Sequence, residues 1–145
     1  MTIHMLNWLE SNGWEIICYD FPQSGTGVLI HPNISEKSSK NKNGFIPDIV
    51  ARKKSIVLFF ENKDRYFHSD FVKLKEIKND KKYTKGITEL IYPSNLSNIF
   101  YGIGIYNNKK NVDKSLNNIN DLDFLLSVND DGSINIDYES CKIFD

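Results

Sequence analysis

The sequence predicts a single α/β domain with a mixed central sheet and helices on its faces. Three observations lead there: short β-branched and aromatic runs recur along the chain, two stretches carry apolar residues at helical spacing, and each change of pattern falls at a turn signal. The 145 residues suffice to close one hydrophobic core. At 40% hydrophobic and 26% charged, the composition excludes collagen-like, disordered and disulfide-scaffold classes.

Element by element, Ile3, Leu6 and Leu9 at helical spacing predict a first helix, with Thr2 as its N-cap and Gly13 as its stop. Trp14 to Tyr19 reads as a strand. The Gly25-Thr26-Gly27 sequence is a turn before Val28-Leu29-Ile30, since it lacks the further residues of a phosphate loop. Residues 32–44 are polar and turn-rich and are expected to form a mobile loop. Phe45 to Ala51 and Ser55 to Glu61 are two apolar runs separated by Arg52-Lys53-Lys54, short enough for an antiparallel hairpin. The second run fits a central strand buried on both faces.

Beyond the hairpin, Ser69 is a candidate cap for a helix carrying Phe71, Leu74 and Ile77. A second helix is expected from about Tyr83 to Ile91, and a strand from Ile99 to Tyr106. Asn129-Asp130-Asp131-Gly132 between Leu125–Val128 and Ser133–Tyr138 signals a final hairpin. Residues 1–110 are expected to form the core. Residues 111–145 form an acidic extension with a hairpin, part of the same compact domain.

Charge is distributed unevenly. Residues 36–85 hold 14 Lys+Arg against 7 Asp+Glu, whereas residues 111–145 hold 2 Lys against 8 acids. A basic middle attracts phosphate backbones. No apolar run approaches the length of a membrane span, and the start of the chain lacks the pattern of a secretory signal. A cytoplasmic protein with free thiols at Cys18 and Cys141 is the expectation.

The candidate chemistry lies in the central hairpin. Pro47-Asp48 is followed, after twelve residues, by Glu61-Asn62-Lys63. On a strand, residues two apart share a face, so Glu61 and Lys63 point the same way while Asn62 points away. Two carboxylates on adjacent strands can converge on one hard divalent cation, and a neighbouring lysine can serve an attacking water. This pattern resembles the PD-(D/E)xK nuclease superfamily, which includes many type II restriction endonucleases and Holliday-junction resolvases. The resemblance covers roughly residues 3–106.

That resemblance implies a restriction-endonuclease-like fold and hydrolysis of DNA phosphodiester bonds with Mg²⁺, for which Mn²⁺ can substitute. It implies Asp48, Glu61 and Lys63 as catalytic residues, with metal held by Asp48, Glu61 and the backbone carbonyl of Asn62. Many members carry a further acid on the first helix. Glu10 is the acid available here, later in the helix than in the family, where His4 and Asn7 stand instead. Asn62 in place of an apolar residue suggests that its face of the strand end is partly solvated. Lys37, Lys40, Lys42, Arg52, Lys53, Arg65 and Lys73 are candidate DNA-backbone contacts.

Cutting both strands of a duplex with one small site favours a homodimer. The alternatives are a nuclease subunit or non-cleaving DNA-binding module of a larger defence complex, or a junction resolvase. A small α/β protein that is no nuclease is a third reading. His31 and His68 with Asp64 or Asp70 lack the spacing of a zinc motif, and Ser69 beside His68 and Asp70 is not arranged as a nucleophilic triad.

Overall fold

The computed structural model describes residues 1–20, 27–33 and 44–144. One six-stranded mixed sheet runs through them in sequence order: β1 (Glu15–Tyr19), β2 (Ile49–Lys53), β3 (Ile56–Lys63), β4 (Ile99–Tyr106), β5 (Phe124–Val128) and β6 (Ile134–Glu139). The pairs β1/β2, β2/β3 and β5/β6 are antiparallel, while β3/β4 and β4/β5 are parallel. Helix α1 (Thr2–Ser11) precedes the sheet, α2 (His68–Asp80) and α3 (Thr84–Ile91) link β3 to β4, and α4 (Lys109–Asn117) links β4 to β5. A parallel pair requires such a crossover, which explains why the helices fall where they do.

Two cores sandwich the sheet. On one face, Val50, Val57, Phe59, Ile103, Ile105 and Leu125 pack with Phe71, Leu74 and Ile77 of α2 and with Ile87 and Ile91 of α3. On the other, Ile49, Leu58, Phe60, Phe124 and Leu126 pack with Met5, Leu6 and Leu9 of α1. Strand β3 lies between β2 and β4, and residues 57–62 are all buried, as expected for the central strand. The C-terminal end closes the α1 face: the Phe144 ring lies 5.5 Å from Trp8, 6.0 Å from Trp14 and 5.3 Å from Phe124.

Several local expectations need correction. Met1, not Thr2, occupies the N-cap of α1, and neither it nor any side chain makes a capping bond there. Ser69 lies inside α2; Phe67, with extended backbone, is the N-cap, and the acid of the first turn is Asp70. Arg52 and Lys53 belong to β2, paired with Val57 and Ile56, so the hairpin turn is only Lys54-Ser55. Gly13 does stop α1, with φ of +86° and its N–H donating to the Glu10 carbonyl. Helix α4 was not foreseen. Residues 124–139 extend the sheet as its fifth and sixth strands rather than standing apart.

Gly25, Thr26 and residues 34–43, including Lys37, Lys40 and Lys42, lie outside the described residues. Cys18 is buried and Cys141 exposed, and both are free. Among the described residues, no helix is long and apolar enough to cross a membrane.

Candidate active site

The site forms where the β2–β3 ladder runs out, on the α2 face. Ile49 pairs with Phe60, so the next position places Asp48 beside Glu61. Asp48 is pinned from three directions. Its N–H donates to the Phe60 carbonyl at 3.1 Å, and its carbonyl accepts from the Asp20 N–H at 2.8 Å. Its Oδ2 accepts from the Asn62 N–H at 2.7 Å. Pro47 is buried just before it, and its missing N–H and fixed φ suit a strand entry where no ladder partner remains.

Glu61 is 6% exposed. Its carboxyl is pushed up to about 9, first by burial, then by the Asp48 charge and a hydrogen bond shared with Asp48; Lys73 opposes the shift and Asp70 adds to it. Two carboxyl groups in such contact cannot both ionise without a cation between them. At neutral pH the pair therefore carries a proton.

Alternation along β3 puts Lys63 on the same face as Glu61. The Lys63 ammonium sits 5.7 Å from the Phe67 ring centroid, and the Arg65 guanidinium 5.1 Å from the same ring. Lys73, exposed on α2, lies 5.6 Å from the Phe45 ring. Asp70, in the first turn of α2, completes the group. Its carboxyl is raised by burial, which the Lys63 ammonium opposes most strongly, with Asp48 adding to the rise and Lys73 opposing it. Asp48, Glu61, Lys63, Asp70 and Lys73 thus share one electrostatic neighbourhood.

Other expected residues fall elsewhere. Glu10 is exposed near the end of α1, a helix packed on the opposite face of the sheet. It also sits at the wrong end: the chain just beyond it, at Asn12, accepts a 2.8 Å bond from Lys53 at the hairpin turn. Glu10 is therefore not brought to the carboxylate pair. Arg52 and Lys53 occupy that same distant end and are already engaged. Arg52 bonds the Ile91 carbonyl and Ser94 Oγ, both at 3.1 Å, and pairs with Glu15 at 3.3 Å. Of the described basic candidates, only Arg65 and Lys73 border the site.

The Asn62 side chain also departs from expectation. It is 9% exposed, lies against Gly104 and Met5 on the α1 face, and neither Oδ1 nor Nδ2 has a hydrogen-bond partner among the described residues. Glycine at 104 removes the side chain that would fill this space. The strand end is dry, not solvated.

Comparison with family models, curated proteins and solved structures finds no match to this chain. Assignment of the site therefore rests on its own geometry. Among the described residues, no group of three or more His, Cys, Asp and Glu side chains is placed to hold a metal ion. What the site offers is two hard oxygen donors in contact, buried, and in need of a positive charge. That donor set fits a cation such as Mg²⁺, which is commonly held by one or two carboxylates and keeps several waters. Asp70 is the member missed by sequence reasoning. Its one signal was an acid in the first turn of the helix that follows Lys63, and only the crossover packing of α2 turns it toward that lysine.

Proposed function

We propose that the chain is a Mg²⁺-dependent endonuclease that hydrolyses DNA phosphodiester bonds, most like a small type II restriction endonuclease. The observation that carries this reading is the buried Asp48–Glu61 carboxylate pair, with Lys63 on the same strand face. The element order supports it: a helix, three antiparallel strands, helices, and a fourth strand parallel to the third, as the resemblance to the PD-(D/E)xK superfamily implies.

In this reading Asp48 and Glu61 hold the cation, which takes the place of the proton they share. The Asn62 carbonyl is a further oxygen donor on the same strand. A bound Mg²⁺ supplies charge neutralisation at the scissile phosphate and acidifies water. Lys63 donates hydrogen bonds that orient the attacking water against the phosphorus, in a pocket whose buried floor strengthens each charge. Asp48, fixed by its three hydrogen bonds, holds its carboxylate in place without reorganisation. Arg65 and Lys73 neutralise flanking phosphates and position the backbone without reading sequence. Two copies of the chain would serve the two strands of a duplex.

The test is incubation of the purified chain with supercoiled plasmid, linear duplex and a four-way junction, with Mg²⁺ or EDTA. Mg²⁺-dependent cleavage is expected, and the preferred substrate separates restriction from junction resolution. Absence of cleavage on all three would reject the self-sufficient enzyme in favour of a partner-dependent subunit or a non-cleaving module.

A further inference from the structure

Lys63 ends β3, and nothing in the strand itself fixes where its four-carbon side chain places the ammonium. What surrounds that ammonium comes from the start of α2. Phe67, the N-cap, presents its ring 5.7 Å from Lys63 Nζ. One short turn later, the Asp70 N–H donates to the Phe67 carbonyl at 3.2 Å, which locks the acid to the same turn. Asp70 Oδ2 is buried and has no hydrogen-bond partner among the described residues. Leaving a buried carboxylate oxygen unpaired is costly, and the unpaired oxygen belongs to a residue whose nearest strong cationic influence is Lys63.

We propose that Asp70 is a positioning residue: with the Phe67 ring, it holds the Lys63 ammonium in register with the Asp48–Glu61 pair. This rests on the nuclease reading for its consequence but not for the contact. A lysine swinging freely would reach the attacking water only part of the time, and a carboxylate beside it restricts that swing. Asp70 touches neither substrate nor cation in this role.

Two readouts on the full chain test it. First, acylation of lysines by an amine-reactive reagent is followed by mass spectrometry of each peptide, with exposed Lys54 as internal reference. The Lys63:Lys54 labelling ratio should rise about threefold in Asp70→Asn and return in Asp70→Glu, the scale expected for loss of a partly exposed ion pair. Referencing to Lys54 separates release of Lys63 from general unfolding. Second, Asp70→Asn should slow plasmid cleavage about tenfold at unchanged DNA affinity, and should add nothing to Lys63→Ala in the double variant. An unchanged labelling ratio, or additive losses in the double variant, would overturn the proposal. Absence of cleavage by the parent protein would reject the nuclease reading instead, and the labelling ratio would still decide whether Asp70 holds Lys63.

Discussion

Glu61 stands where a core residue is expected: the preceding positions of β3, from Val57 to Phe60, are apolar and buried. A lone carboxyl group in that position is destabilising, and its destabilisation depends on pH in a definite direction. The folded chain keeps the Glu61 proton up to about 9, whereas the unfolded chain releases it near the ordinary value of 4.5. Stability associated with this group is therefore fully present below about pH 4.5 and falls as pH rises towards about 9. Glu61→Gln removes the titration while keeping the shape. In thermal melts without divalent cation, the variant's gain in Tm over the parent should grow across that window and level off above it. A gain independent of pH would mean that Glu61 is not held as a buried acid. A residue this poorly suited to stability calls for another reason to be there, and a cation-binding role supplies one.

At the scale of elements, the apolar run 56–60 made the central strand legible, and Phe71, Leu74 and Ile77 made α2 legible, because both patterns are local and periodic. The Asp48–Glu61–Lys63 constellation was legible for the same reason, since hairpin register and period-two alternation suffice to bring those residues together. Helix α4 was not, because its Lys- and Asn-rich sequence buries only Ser115 fully and its stability comes from packing rather than pattern. The pairing of β5 with β4 was equally hidden, being a parallel contact across a crossover. Glu10 was misplaced because the sequence does not say which face of the sheet α1 covers. Gly104 is a further case. Its place in β4 leaves room for the Asn62 side chain and the Met5 methyl, and a Cβ there would meet Met5 Cε at 2.8 Å and collide with Asn62. Gly104→Ala should destabilise the fold by about 1–3 kcal/mol in denaturant melts, through overpacking. An increase in stability would show that the strand end is looser than described.

Over the whole molecule, the net charge of −1 conceals a division of labour among the cations. Some are structural. Arg52 ties β2 to the end of α3, Lys53 closes α1, and Lys78 bonds Asp123 at 3.1 Å, fastening α2 to the start of β5. Much of the C-terminal acidity is spent likewise. Asp123 also accepts from the Tyr101 N–H, Asp131 accepts from Ser133 within its turn, and Glu139 accepts from the N–H groups of Ile143 and Phe144. Arg65 and Lys73, beside the carboxylate pair, are engaged only with aromatic rings in the contacts described above. Lys73→Ala should therefore weaken DNA binding and reduce the slope of log K against log salt by about 1. Arg52→Ala should leave that slope unchanged while lowering stability. Equal effects of the two substitutions on the slope would indicate diffuse electrostatic attraction rather than a track past the site.

The central claim is that Lys63 and the carboxylate pair form one hydrolytic centre, and cleavage by Lys63→Ala tests it most directly. Parent and variant are incubated with supercoiled plasmid and Mg²⁺, with fold and DNA affinity measured on the same preparations. The parent should nick or linearise the plasmid, and the variant should remain folded, bind DNA as tightly, and leave the plasmid intact. Cleavage by the variant at the parent's rate would contradict the assignment of Lys63 and, with it, the account of this site.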